Sequence, residues 1–114
     1  MTQPPWVEEF PGAITVGNAE GIILEMNDAA AKSYQEDGGK ALIGSDLIEC
    51  HPEPVRDKVK RLLETREPNV STFEKDGVKK LVYQSSWYQK GRHAGLIELE
   101  IEIPFQMSHF VRDS

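Results

Sequence analysis

Two stretches near the end of the chain alternate apolar and polar residues with a period of two. Residues 79–89 read KKLVYQSSWYQ and residues 96–103 read LIELEIEI. In the second stretch the aliphatic side chains share one face, and Glu98, Glu100 and Glu102 share the other. Because successive side chains of a strand point to opposite faces, this alternation predicts two half-buried strands. We expect the aliphatic face to be buried and the glutamates to face solvent.

Three further strands are predicted upstream, and turn residues separate them. Residues 90–95, with two glycines, predict a polar turn between the last two strands, and Asp76–Gly77 predicts a tight hairpin turn before them. Runs typical of strands occupy residues 13–18, 22–26 and 70–75. The turn signals between consecutive runs favour antiparallel pairing, since hairpins join neighbouring antiparallel strands.

The helical signals lie in the middle of the chain. Asn27 is placed as an N-cap before an alanine-rich helix that we expect to end by Gly38–Gly39. Short helical turns are predicted at residues 5–10 and 40–43, and a longer helix at residues 54–65. The longer helix carries one apolar stripe, formed by Val55, Val59, Leu62 and Leu63.

The element order β-β-α-(α)-α-β-β-β predicts an α+β fold. We expect a five-stranded antiparallel sheet with short helices packed on one face. A length of 114 residues is that of a single domain. We divide the chain into an N-terminal extension (residues 1–12), a folded domain (residues 13–105) and a C-terminal tail (residues 106–114).

Composition excludes several classes of function. The net charge of -6 argues against nucleic-acid binding, which needs a basic face. No apolar run approaches the roughly 20 residues of a membrane span, and the first ten residues lack the order of a secretory signal. The single cysteine rules out an internal disulfide framework and fits a reducing compartment. We therefore expect a cytoplasmic protein that binds neither membrane nor nucleic acid.

The order and lengths of these elements resemble a PAS domain. The resemblance covers residues 13–103 and rests on the order and spacing of several short motifs. These motifs are Ile14–Val16, Gly21–Leu24, Met26–Ala30, Leu42–Gly44 followed by Leu47, and the Asp76–Gly77 hairpin. In addition, Cys50-His51-Pro52 is similar to a subgroup of bacterial PAS domains that carry these residues before the last helix.

The resemblance implies a sensory or interaction module. The family's sheet and helices surround a central cavity that holds haem, flavin, a small metabolite, or only side chains. Signals leave through the outer face of the sheet and the terminal segments, commonly across a homodimer. We expect this chain to form a homodimer and to pass its signal to a separate protein. No specific motif for haem or flavin is present, so the cofactor stays unknown.

Three residues before or between the helices are candidates for the cavity. His51 either contacts a ligand, ligates haem iron, or bonds local backbone at a helix start, since imidazole suits all three roles. Cys50 is either a reactive thiol or a small buried apolar residue. Tyr34, at the end of the alanine-rich helix, is a further candidate for the cavity wall.

Three residues of the first alternating stretch are also candidates. Tyr83, Ser85 and Trp87 share one strand face and either line a ligand cavity or form ordinary sheet core. Val82 and Tyr88 lie on the opposite face, which would then be the signalling or dimer surface.

Three functions compete on this sequence. The first is a sensory module that binds an unidentified small ligand, and the second is an interaction module with a filled core. The third is a small enzyme, for which His51 is the candidate acid–base residue. No nucleophile–base pattern, phosphate-binding glycine loop or metal motif is visible, so we expect no catalysis.

Overall fold

Five strands form one antiparallel sheet in a computed structural model that describes residues 3–47 and 55–113. The strands are β1 (Ala13–Asn18), β2 (Ile23–Met26), β3 (Asn69–Lys75), β4 (Val78–Gln89) and β5 (Arg92–Ile103). Their order across the sheet is β2-β1-β5-β4-β3. This architecture confirms the predicted α+β class.

One short helix precedes the first strand, and the other helices connect the second and third strands. They are α1 (Pro5–Glu8), α2 (Asp28–Ser33) and α3 (Val55–Thr65), with 3-10 turns at Gln35–Asp37 and Gly39–Leu42. Pro5 begins α1, where its missing N–H costs no intrahelical bond. The amphipathic α3 buries Val59 and Leu62, as its apolar stripe predicts. The alanine-rich helix ends at Ser33, before the predicted glycines, because the chain tightens into the 3-10 turns there.

Asn27 joins three segments through one buried side chain. Its Oδ1 accepts hydrogen bonds from the backbone N–H groups of Ala30 (3.0 Å) and Ile14 (2.9 Å). Its amide donates to the carbonyls of Val7 (3.0 Å) and Gly12 (2.9 Å). The predicted N-cap of α2 is therefore confirmed, and the same residue also ties α1 to β1.

The helices cover the face of the sheet that carries the glutamates. Ala30 of α2 and Val59 of α3 belong to the same buried core cluster as Leu96 of β5. We call this side the inner face and the opposite side the outer face. Glu98, two residues after Leu96, points the same way and is only 5% exposed. Ile97, between them, is therefore on the outer face and is half-buried.

The predicted orientation of β5 was wrong. Alternation requires the aliphatic and acidic side chains of β5 to lie on opposite faces, but it does not decide which face the helices cover. Here the helices contribute apolar side chains to a core over one end of the inner face. On the same face, Glu98 accepts hydrogen bonds from Tyr34 and Gln84. The aliphatic residues of β5 instead line the outer face; they are Ile97, Leu99, Ile101 and Ile103.

The turn between β4 and β5 is shorter than predicted. Gln89 pairs with Arg92, which leaves Lys90 and Gly91 as a two-residue turn. Both turn residues have positive φ angles (50° and 78°), as a tight hairpin of this twist requires. The expected six-residue turn, residues 90–95, is wrong because β5 already begins at Arg92.

Candidate functional site

A chain of hydrogen bonds crosses the inner face from α2 to α3. The Tyr34 hydroxyl, at the C-terminal end of α2, donates to Glu98 Oε1 over 2.9 Å. The Gln84 amide donates to Glu98 Oε2 over 2.6 Å. The Asn69 amide donates to Gln84 Oε1 (3.3 Å) and to the carbonyl of Lys58 in α3 (3.0 Å). We call Tyr34, Glu98, Gln84 and Asn69 the polar network.

The sheet register explains why these residues meet. Gln84 of β4 lies directly opposite Glu98 of β5, and Asn69 of β3 lies opposite Gln84. Directly opposite side chains of an antiparallel pair share a face and lie within reach of each other. Tyr34 completes the network because α2, capped by Asn27, packs on this same face.

Two hydrogen bonds of the polar network end at Glu98. An ionised carboxylate only accepts hydrogen bonds, so the donors of Tyr34 and Gln84 fit a charged Glu98. Hydrogen bonds to a charged acceptor are about twice as strong as neutral ones. Glu98 and Gln84 are each 5% exposed, so water competes little for these bonds. The network is therefore a rigid polar wall.

The polar network forms one wall of a groove on the inner face. Two adjoining cavities of about 610 and 690 Å³ share Ser33, Phe73 and Glu100 in their lining, and we call them together the inner groove. The first cavity contacts the polar network. The second lies toward the end of β5, where Lys80 Nζ is 3.2 Å from Glu100 Oε1.

Charges of both signs line the inner groove. The carboxylates are Glu98, Glu100, Glu102 and Asp76, and the ammonium groups are Lys32, Lys58, Lys75 and Lys80. Such a lining offers hydrogen-bond acceptors and donors side by side, which suits a polar ligand that carries both kinds of group.

A third concavity, of about 740 Å³, lies beside the β4–β5 turn. Trp87 and Leu24 line it together with Arg92 and His93. The Trp87 indole N–H donates to the carbonyl of Gly17 over 2.9 Å, which fixes the ring. His93 Nε2 lies 3.1 Å from the Ser86 hydroxyl.

Of the residues predicted to bind a ligand, the four that the structure describes are not brought together. Tyr34 lines the inner groove. Tyr83 and Ser85 lie on the outer face, so their predicted position on the helix-covered face was wrong. Trp87 borders the third concavity. Cys50 and His51 lie outside the described residues, and their roles stay predictions.

The sequence interpretation missed Glu98, Gln84 and Asn69 as site residues. Glu98 and Gln84 were interpreted from their own strands, where a polar residue in alternation indicates a solvated face. Asn69 lies just before the predicted start of the third strand, residues 70–75. The significance of all three residues depends on the pairing of β3, β4 and β5, which places three polar side chains in one row. In the sequence, such a row is indicated only by a polar residue near the middle of each of the two long strands.

In residues 3–47 and 55–113, no group of three or more His, Cys, Asp or Glu side chains is placed to hold a metal ion. None of the helices in that part of the chain has the length and apolarity to cross a bilayer.

Comparison with known proteins gives matches among solved structures. No protein-family model and no curated protein matches the sequence. A C-terminal domain from Streptococcus mutans is 23% identical with a TM-score of 0.68, over 84% of this chain and 78% of that chain. The PAS domain of a Colwellia psychrerythraea protein is 18% identical with a TM-score of 0.64, over 86% of this chain and 91% of that one.

A third match has a described activity. The Aer2 receptor from Vibrio cholerae, described as a dual PAS-haem oxygen sensor, is 15% identical with a TM-score of 0.58. The match covers 82% of this chain and 95% of that one. Two further matches are described as sensor histidine kinases, and this chain covers 38% of one of them. The chain therefore has the PAS fold, as its sequence predicts.

Proposed function

We propose that this PAS-fold chain is a cytoplasmic sensory module that binds a small polar ligand in the inner groove. The observation that carries the proposal is the polar network, a buried and preorganised wall of a cavity on the helix-covered face. The cavity volumes fall within the roughly 300–1,000 Å³ of small-molecule sites. Sensor proteins among the structural matches support the signalling role.

The lining indicates the kind of ligand. A donor or cationic group of the ligand fits the carboxylates of Glu98 and Glu100, which are adjacent along the inner face of β5. An anionic or acceptor group fits Lys58, which also lines this cavity. The proposed ligand is therefore a small zwitterion or a polar metabolite with donors and acceptors.

The signal would leave through the outer face. Glu98 alternates along β5 with Ile97 and Leu99, so a shift of its backbone moves apolar side chains on the other side of the sheet. The outer face also carries Tyr83, which is 40% exposed. An apolar and partly exposed sheet face is the kind of surface that binds a partner protein.

The same outer face favours a second candidate function, an interaction module without a ligand. In that case the polar network serves only to hold the helices on the sheet, since the bonds described above are made within the protein. Ligand mass retained on the folded chain separates the two candidates, because a filled module retains none.

Haem fits the described lining of the inner groove poorly. His93 lies at the β4–β5 turn and His109 in the tail, and neither lines the groove. His51 stays the candidate axial ligand or acid–base residue. A Soret band, or a pH-dependent activity, that disappears in His51→Ala would favour the haem or the enzyme alternative.

Native mass spectrometry with an absorption scan of freshly purified protein tests the proposal. We expect a mass above that of the polypeptide that is lost on denaturation. Glu98→Gln should lower the occupied fraction about tenfold at limiting ligand, because it removes a charged acceptor from the wall.

The matched control is Glu25→Gln, the same chemical change on the outer face of β2. It should leave the occupancy unchanged. Equal losses in both variants, or the bare polypeptide mass in the wild type, would contradict ligand binding in the inner groove and favour the interaction module.

A further inference from the structure

The two edge strands of the sheet, β2 and β3, differ in whether another segment pairs with their free side. At the β2 edge, a following segment pairs with the free side of the strand. Ile23 N–H donates to the Ser45 carbonyl and Gly44 N–H donates to the Ile23 carbonyl, each over 2.8 Å. Ile22 and Asp46 form a further antiparallel bridge. At the opposite edge, no segment within residues 3–47 and 55–113 pairs with the free side of β3.

The β3 edge has little of the usual protection against pairing, since its inward-pointing charge, Lys75, lies only at the end of the strand. Natural edge strands are kept from pairing with other chains by shortness, proline, bulges or inward-pointing charges. β3 has seven residues, contains no proline, and pairs with β4 in unbroken register from Asn69 to Lys75. Val70 is 56% and Phe73 39% exposed at this edge.

We infer that β3 pairs with β3 of a second copy of this chain, antiparallel about a two-fold axis at Ser71. An isologous contact needs a surface that complements itself. In this register Val70 lies opposite Thr72 of the other copy, a β-branched pair that suits neighbouring strands.

Charge complementarity selects this register. About an axis at Ser71, Glu67 lies beside Lys75 of the other copy. This attraction occurs twice because of the symmetry. Both side chains are exposed.

The pairing joins two five-stranded sheets edge to edge and gives the predicted homodimer a defined contact. It leaves the outer face of each copy open, and it places β3 residues that line the inner groove, such as Val70 and Ser71, at the contact. A single edge contact is small, and small contacts give weak complexes. The dimer is therefore expected to dissociate on dilution.

A charge exchange tests the contact by analytical ultracentrifugation. Lys75→Glu should weaken dimerisation about tenfold, because it turns two attractions into two repulsions. Glu67→Lys should act likewise, and the double variant Glu67→Lys/Lys75→Glu should restore the wild-type constant. Lys90→Glu, an equal charge change at the β4–β5 turn, should have no effect. Failure of the double variant to recover would overturn the pairing.

A cysteine placed on the axis tests the register. Directly opposite residues of antiparallel strands have Cα atoms about 4.5–5.5 Å apart, within the range of a disulfide. In a Cys50→Ser background, Ser71→Cys should therefore form a disulfide dimer on oxidation, and Thr72→Cys should not. Crosslinking of Thr72→Cys instead, or of neither variant, would overturn the inference. Neither assay reports ligand occupancy, so this result is separate from the proposed function.

Discussion

The side chain of Asn27 shows how much structure one residue organises. It accepts from Ala30 and Ile14 and donates to Val7 and Gly12, with no exposed surface. A shorter side chain would leave these buried backbone groups without partners, and each such group costs about 1–3 kcal/mol. The position of α2, and hence of Tyr34 in the polar network, depends on this residue.

We expect Asn27→Ala to lower the free energy of unfolding by about 3 kcal/mol, from the lost cap and the unpaired backbone groups. Urea denaturation followed by circular dichroism measures the change. Asn18→Ala is the matched control. Asn18 Oδ1 accepts from Glu20 (2.9 Å) and Ile22 (3.0 Å) in a more accessible turn, so the loss should be about 1 kcal/mol. Equal losses would contradict the role given to Asn27.

At the scale of single elements, the sequence predicts existence and type well. The bounds of β1 are those predicted, and Asn27 begins α2 as its capping chemistry requires. The β4–β5 turn was misjudged because its two glycines serve different purposes. Gly91 supplies a positive φ angle in the turn, whereas Gly95 lies within β5 against the backbone of β1. Only the paired strands reveal that second requirement.

Gly95 should therefore tolerate substitution less well than Gly91. A Cβ on Gly95 would lie 2.5 Å from the Asn18 carbonyl carbon, and its φ angle is +150°. We expect Gly95→Ala to lower the free energy of unfolding by about 3 kcal/mol, through overpacking and backbone strain. Gly91→Ala meets no atom within 4 Å and should cost about 1 kcal/mol for its positive φ alone. Thermal or urea unfolding compares the two, and similar values would contradict the close approach of β1 and β5.

At the scale of the whole molecule, the sequence predicts the sheet but not its buried face. The alternation alone does not decide which face is buried, because helices can cover either face of the sheet. The choice depends on contacts between distant segments, such as Tyr34 with Glu98. Glu98 and Gln84 therefore looked like solvated residues, and Tyr83 looked like core. The candidate site was hidden for the same reason, since it consists of polar residues buried together.

Two adjacent residues of β4 test which face the helices cover. Val82 lines the inner groove directly opposite Glu100, and Tyr83 lies on the outer face opposite Leu99. Val82→Glu would place a further carboxylate beside Glu98 and Glu100, and we expect it to lower the free energy of unfolding by about 2 kcal/mol. Tyr83→Glu removes only partly exposed packing and should cost about 1 kcal/mol or less.

Urea denaturation of both variants at neutral pH gives the comparison, and each serves as the control for the other because the introduced residue is the same. Repulsion between carboxylates is the reason for the difference, so acidification that protonates them should reduce the loss in Val82→Glu more than in Tyr83→Glu. A larger loss in Tyr83→Glu would mean that the helices cover the aliphatic face. The polar network would then be a solvated surface, and the inner groove would lose its role as a ligand site.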